Sequence, residues 1–358
     1  MKTLTLGILG GGQLGRMSAL AAANLGIAVH IFTPEHNSPA SQVSSQTTVA
    51  PYNDETALKK FAQSVDIITY EFENIPVDTI RFLKTLTPVY PDEKLLEVSQ
   101  DRVIEKIFLN EINIETTRWK NYQSDQSILD AFQEWKSSAT IIKTTRFGYD
   151  GKGQVKVNKH DNINETVRLL NGDKIIEDIV DFTCEISMIC ARDHEGNIIT
   201  YGPMLNEHKN HILHLTTVPA GISQKHVHQA DKMIRKIAQK IDLKGVLTLE
   251  LFLTKDGRLL ANEIAPRTHN SGHWSMNACL YSQFDNHIRA VCGFPVMDPQ
   301  RHSDAKMLNL IGEDILDIDR HMKKSGAYLH IYGKSEIREG RKMGHINFIS
   351  PKTSPTAS

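Results

Sequence analysis

A chain of 358 residues, 40% hydrophobic and 23% charged, carries enough apolar side chain for two or three domains with buried cores. Its formal net charge of −1 gives no general pull toward nucleic acid or an anionic membrane surface. No apolar run approaches the roughly 18 residues needed to span a bilayer, the N-terminus lacks a signal-peptide core, and Cys184, Cys190, Cys279 and Cys292 lack Cys-x-x-Cys spacing. A cytoplasmic protein with reduced cysteines is therefore expected.

The N-terminal part alternates strand and helix signals. Residues 4–9 predict a strand, 14–25 a helix and 28–32 a second strand. A helix over 57–63, a strand over 67–70 and a helix over 77–84 complete a βαβαβ pattern, hence a doubly wound parallel sheet. Residues 89–91 can add a short strand, and a charged helix is expected over 94–110. From Thr140 the texture changes to paired strands, 140–145 and 154–157 around a glycine-rich loop, then 174–177 and 184–191. A helix over 229–241 leads into the hairpin "VLTLELFLTKDGRLLANEIAP". A smaller αβ piece follows, closing on the polar tail "SPKTSPTAS".

The stretch "GILGGGQLGRM" places Gly10, Gly12 and Gly15 between the first strand and first helix, as a dinucleotide fingerprint would. Such a site needs an acidic residue ending the second strand to bind ribose hydroxyls. Thr33 and Pro34 stand there, and Glu35 arrives late. The turn still offers N–H groups at a helix N-terminus, which attract phosphate. A small phosphate ligand, a plain tight turn and a nicotinamide site all remain open from this motif alone.

"KTTRFGYDGKGQ" is more informative. Gly148, Gly151 and Gly153 alternate with Tyr149, Asp150 and Lys152 between two strands, without the Gly-Lys-Ser/Thr ending of a Walker loop. A hairpin loop of this kind can fold over polyphosphate with backbone N–H donors and a lysine, and Lys143 on the preceding strand can reach the same phosphates. An ordinary exposed hairpin is the alternative.

The 246–265 hairpin carries the metal expectation. With Asp256-Gly257 as a two-residue turn, Glu250 and Glu263 are directly opposed, and Leu249 and Leu251 fall on the other face. Two carboxylates roughly 5 Å apart repel by about 3 kcal/mol at an effective dielectric near ~20. Oxygen ligands of this kind suit Mg²⁺ bridging nucleotide phosphates, with Asn262 assisting. A three-residue turn would break this register and leave a solvated face.

In order along the chain, "GILGGGQLGRM", "YEFENIP", "GYDGKGQ", "NEIAPRTHNSGHW" and "YGKSEIREGRKMGH" resemble the motifs of the N5-carboxyaminoimidazole ribonucleotide synthase family. The resemblance covers nearly the whole chain. It departs at Phe147, where the family usually has glycine, and at Thr268, where it usually has proline. It implies an α/β and α+β architecture, the ATP-grasp fold with an N-terminal doubly wound parallel-sheet domain and a small C-terminal αβ piece. The implied boundaries are 1–98, 99–300 with a lid subdomain near 112–176, and 301–358.

The resemblance also implies an activity: ATP, bicarbonate and 5-aminoimidazole ribonucleotide become ADP, phosphate and the N5-carboxylated nucleotide. Arg102 and Lys143 would bind the ATP phosphates, with Gly148, Tyr149, Asp150, Gly151, Lys152, Gly153 and Gln154 as the lid. Glu177, Asp178, Ile179 and Val180 would line the adenine, Glu185 the ribose, and His208 the nucleotide. Glu250 and Glu263 would hold Mg²⁺, or Mn²⁺, beside Asn262. The ribonucleotide would meet Gly12, Gln13, Leu14, Glu73, Arg267, His269, Asn270, Lys334 and Arg341. Lys143, Arg267 and Asp150 would serve the chemistry, Asp150 by handling a proton. A homodimer is the family expectation. Two other readings stand beside this one: a formate-dependent glycinamide ribonucleotide transformylase of the same fold, and a nicotinamide-binding dehydrogenase or regulatory protein resting on the first glycine loop.

Overall fold

In a computed structural model of the chain, residues 4–148 and 151–353 are described. The N-terminal region contains β1 (Thr5–Leu9), α1 (Gln13–Asn24), β2 (Ala28–Thr33), β3 (Gln46–Val49), α2 (Glu55–Gln63), β4 (Ile67–Tyr70) and α3 (Val77–Lys84). Its four strands are parallel in the order β3-β2-β1-β4. Both faces are covered, which is why the strands read as apolar runs. Leu6, Ile8 and Ile31 pack with Met17 and Ala22 of α1, while Leu9, Phe32 and Ile68 pack with Phe61, Ile80 and Leu83. The edge strand β3 carried no sequence signal, because "QTTV" is short, polar and largely solvent-facing. The expected strand at 89–91 reduces to one bridge between Ile68 and Val89.

The charged helix expected over 94–110 is two helices, α4 (Glu93–Gln100) and α5 (Arg102–Glu111). Asp101 breaks it. Its backbone is extended, and its carboxylate accepts from Val103 N–H (3.0 Å) and Ile104 N–H (3.3 Å), so it starts a new helix instead of continuing the old one. The break brings Arg102 to the lid, where its N–H donates to Thr145 O (2.9 Å).

The lid comprises β5 (Trp119–Asn121), α6 (Asp125–Trp135), β6 (Ala139–Thr144), β7 (Gln154–Asn158), α7 (Ile163–Val167) and β8 (Lys174–Asp178), its strands antiparallel in the order β5-β8-β6-β7. It has a core of its own around Ile128, Phe132, Trp135, Ile142 and Ile176.

The remaining elements are β9 (Phe182–Arg192), β10 (Ile198–Lys209), β11 (Ile212–Val218), α8 (Gln224–Lys240), β12 (Gly245–Thr254), β13 (Leu259–Ala265), α9 (Ser275–Ala278), α10 (Gln283–Val291), β14 (Ser303–Ile311), α11 (Ile318–Met322), β15 (Ala327–Ile331) and β16 (Lys342–Pro351). Their eight strands form one antiparallel sheet, β13-β12-β9-β10-β11-β14-β16-β15. The C-terminal strands thus continue the central sheet, with Leu308 of β14 opposite Leu215 of β11. Phe284, Ile288 and Val291 of α10 join the core under α1, which sets the parallel sheet against the central one. Among the described residues no helix is long and apolar enough to cross a membrane.

Helix α8 begins five residues before its expected start, because Ser223 caps it by accepting from His226 N–H. Ala230, Met233, Ile234, Ile237 and Ala238 are buried at helical spacing against the sheet. Replacing Ile237 by alanine removes a fully buried side chain from this contact. The expected outcome is a loss of about 2–5 kcal/mol, measured as a lower urea midpoint at unchanged slope.

Candidate active site

The opposed carboxylates exist, though by a different route from the one the turn suggested. The turn has three residues, 255–257: Thr254 N–H donates to Arg258 O (2.9 Å), Arg258 N–H to Thr254 Oγ1 (2.9 Å), and Gly257 takes φ +82°. That shifts the pairing by one residue, so Leu251 faces Ala261. A bulge at Asn262 shifts it back, and Glu250 faces Glu263. Leu249 and Leu251 point into the core. Burial and the Glu263 charge push the Glu250 carboxyl up to about 7. Asn262 Nδ2 and His269 Nε2 approach its two oxygens, at 3.5 and 3.3 Å. Arg102 Nη1 lies 3.4 Å from Glu263 Oε2.

A second cluster surrounds Glu177 on β8. Lys143 Nζ is 2.8 Å from one carboxylate oxygen and Lys106 Nζ 3.2 Å from the other. Burial alone would raise the Glu177 pKa, but the two lysines outweigh it and bring it to about 2. Lys106, one helical turn after Arg102, is 1% exposed and was missed in the sequence. Its position on the apolar-looking stripe of a charged helix offered no cue. Asp178, beside Glu177, turns away: its carboxylate accepts from Arg118 Nε (2.9 Å) and Ser137 Oγ (2.5 Å). Ile179 and Val180 follow the strand end. Across the cleft, Glu185 on β9 and His208 on β10 are paired at 2.7 Å.

In the lid loop Gly153 O accepts from Thr144 N–H (2.8 Å), and Arg102 Nη2 reaches Gly148 O (3.5 Å). Gly151 passes so close to His211 that a Cβ would sit 2.5 Å from its side chain. Lys152 and Gln154 border the same loop; Tyr149 and Asp150 lie outside the described residues. Phe147 has φ +61° and is 70% exposed, a left-handed conformation that explains the family glycine and costs a side chain about 1–2 kcal/mol. Thr268 is buried, and its carbonyl accepts from Arg267 Nη1 (3.1 Å), so the turn carrying Arg267 is held firmly.

The first glycine loop holds a carboxylate. Glu71 accepts from Gly12 N–H (2.6 Å) and Gly15 N–H (3.0 Å) at the start of α1, leaving the N–H groups of Gln13 and Leu14 outside that contact. A Cβ on Gly10, at φ +107°, would lie 2.6 Å from Glu71. Two residues on, Glu73 forms a two-pronged pair with Arg267, Nη2 to Oε1 at 3.0 Å and Nε to Oε2. Burial opposes ionisation of Glu73, yet Arg267 keeps its pKa below the usual value. Glu71 was missed, although alternation in "YEFENIP" puts both acids on the same side of the strand end.

From the far end of the chain, Lys334 donates to Lys342 O (2.7 Å) and Arg341 Nη1 to Glu336 O (3.0 Å). Burial, then Arg341 and Lys342, lower the Lys334 pKa to about 8, against the pull of Glu71 and Glu35. Lys342 acts electrostatically on Glu73, His208, Glu250 and His269. Asn270 is engaged elsewhere, exchanging amide hydrogen bonds with Asn309 at 2.9 and 2.7 Å. Among the described residues no group of three or more His, Cys, Asp and Glu side chains is arranged to hold a metal.

Family models match the three regions: a ribonucleotide synthetase preATP-grasp domain at residues 1–100, an ATP-grasp domain at 107–284, and a phosphoribosylaminoimidazole carboxylase C-terminal domain at 305–357. The fold is that of the ATP-grasp enzymes. N5-carboxyaminoimidazole ribonucleotide synthase of Brucella melitensis is 46% identical, over 98% of this chain and 97% of its own, and that of Bacillus subtilis 40%, over 96% and 91%. The Staphylococcus aureus synthetase complexed with ADP superposes at TM-score 0.93 with 36% identity, covering 98% of this chain and 94% of its own. The Aspergillus clavatus enzyme in complex with ADP and 5-aminoimidazole ribonucleotide superposes at 0.91 with 26% identity, covering 98% and 94%. The chain belongs to the N5-carboxyaminoimidazole ribonucleotide synthase family.

Lys106→Met leaves buried Glu177 with one cation, and unfolding free energy is expected to fall by about 3 kcal/mol in urea titrations. Adding Glu177→Gln should recover at least about half of that loss, since no uncompensated charge then stays buried.

Proposed function

We propose that this ATP-dependent ligase joins bicarbonate to the amine of 5-aminoimidazole ribonucleotide, with Glu250 and Glu263 holding Mg²⁺ or Mn²⁺ at the point of transfer. The observation that carries the reading is the opposed pair itself, two half-buried carboxylates of which one, Glu250, is pushed up to about 7 by burial and then by the charge of its partner. Such an oxygen donor set fits a hard divalent cation with Asn262 at its edge. When bound, the cation neutralises the triphosphate and polarises the transferred phosphoryl group.

Arg102 and Lys143 bind the phosphates by exchanging their internal carboxylates for phosphate oxygens of like charge. The backbone at 177–180 faces adenine, Glu185 accepts the ribose hydroxyls, and His208 supports it. Gly148 to Gln154 close over the phosphates and keep water from the intermediate. A bicarbonate oxygen attacks the γ-phosphorus, the bond to the ADP oxygen breaks, and carboxyphosphate forms. The substrate amine then attacks its carbon, directly or after release as CO₂. The carbon–oxygen bond to phosphate breaks, and the amine proton passes to a base, for which Asp150 is the candidate. Arg267 stabilises charge on the transferring group. Gly12, Gln13 and Leu14 with Glu73, Lys334 and Arg341 surround the ribonucleotide, and His269 and Asn270 shape that wall. The regions 1–98, 99–300 and 301–358 contribute the ribonucleotide loop, the nucleotide site and the closing cations, respectively. A cytoplasmic homodimer belongs to the same reading, in keeping with four free cysteines.

The test is ADP release by the purified protein with Mg-ATP. Release is expected with bicarbonate plus aminoimidazole ribonucleotide, at least about 100-fold slower in Glu263→Gln. Release only with formate plus glycinamide ribonucleotide would overturn the substrate assignment and keep the fold.

Lys334 adds a pH signature. Its folded pKa is lowered, so its charge is present below about 8 and lost above it. The value of kcat/KM for the ribonucleotide should fall as pH rises through that point. Lys334→Arg, which stays charged, should flatten this limb of the profile.

A further inference from the structure

Strand β13 forms one edge of the eight-stranded sheet, so its N–H groups that point away from β12 need partners elsewhere. Ala261 and Ile264 have them. Ala261 N–H donates to Glu115 O (2.8 Å), on the segment leading into the lid, and Ile264 N–H donates to Glu105 Oε1 (2.5 Å). In a regular antiparallel strand, outward N–H groups fall on every second residue. Positions 261 and 264 are three apart, so both face outward only because one extra residue lies between them. That residue is Asn262, at the bulge that returns Glu263 to its place opposite Glu250.

The two outward hydrogen bonds bracket the bulge, and they differ in kind. Glu115 supplies a backbone carbonyl, which a residue of any type would bring. Glu105 supplies a side chain. It is 2% exposed, which leaves no solvent to take over the Ile264 N–H. Glu105 lies on α5 between Arg102 and Lys106, and spacings of three and four residues turn the Arg102, Glu105 and Lys106 side chains to neighbouring places on the helix surface. Arg102 Nη1 approaches Glu263 Oε2 (3.4 Å), and Lys106 Nζ approaches Glu177 Oε1 (3.2 Å). One helix therefore meets the Glu263 carboxylate through Arg102 and the backbone just beyond it through Glu105. The Asp101 cap, which sets where α5 begins, places both.

We propose that Glu105 is a positioning residue: by accepting from Ile264 N–H it locks the bulge at Asn262, and so holds the Glu263 carboxylate opposite Glu250, where both reach one divalent cation. The proposal rests on the reading of that pair as metal ligands. A one-residue slip in the pairing of β13 turns the Glu263 side chain to the other face of the sheet. The role needs an acceptor oxygen at the reach of a glutamate side chain and does not depend on its charge.

Two variants separate reach from charge. Glu105→Gln keeps an acceptor oxygen at the same distance and removes the charge; Glu105→Asp keeps the charge and withdraws the oxygen by one methylene. Mn²⁺ affinity of the full chain is measured by electron paramagnetic resonance in the presence of ADP. Glu105→Gln should stay within about twofold of the unsubstituted protein, and Glu105→Asp should bind about tenfold or more weakly. Equal affinities in the two variants, or the larger loss in Glu105→Gln, would overturn the proposal. Amide hydrogen–deuterium exchange of the unliganded protein is the second arm. Strand β13 should exchange about tenfold or more faster in Glu105→Asp than in Glu105→Gln, with α8 equally protected in both. Unchanged exchange of β13 in Glu105→Asp would overturn the proposal whatever the metal result. Unchanged Mn²⁺ affinity in both Glu250→Gln and Glu263→Gln would remove the metal reading, and the positioning role with it, whatever the exchange. A loss in those two with none in Glu105→Asp would overturn the positioning role alone.

Discussion

Glu250 and Glu263 face each other across β12 and β13, and much of the cleft is arranged around that repulsion. Like charges on directly opposed strand positions are unfavourable, and burial makes them more so. Arg102 approaches one carboxylate and His269 the other, and the bulge at Asn262 maintains the opposition through a turn that would otherwise have undone it. A hairpin serving only stability would have no reason to carry both the acids and the correction.

The same pairing of buried charges recurs elsewhere around the site. Lys143 rests on Glu177, Arg267 on Glu73, and the N-terminus of α1 on Glu71. Each of these donor groups is thus held in place by an internal carboxylate. On the proposed function, an arriving phosphate would exchange one anion for another instead of ordering a flexible side chain. Lys106 gives Glu177 a second cationic partner beside Lys143.

Assembly of the cleft depends on one sheet. Strands β14 to β16 extend the central sheet from the β11 side, while β12 and β13 lie at its opposite edge. Helix α10 packs against α1 and sets the parallel sheet over the same surface. Gln42 Nε2 then meets Gly333 O (2.7 Å), so the N-terminal region and the stretch before β16 touch. Lys334 feels Glu71 for that reason alone.

Local chemistry determined much of this in the sequence itself. Apolar runs set the parallel strands, helical spacing set α8, and glycine patterns marked both loops, because each depends on neighbours a few residues away. Five motifs in order sufficed for the family. What the sequence left undecided depends on contacts between distant residues. Asp101 reads as one more polar residue in a charged helix until its carboxylate is seen capping α5. Glu71 lies 59 residues from the N–H it accepts, and Lys106 looks like any helix lysine until β8 covers it. The Glu250–Glu263 register was expected for a two-residue turn and arises from a three-residue turn with a compensating bulge, a balance that only strand pairing decides.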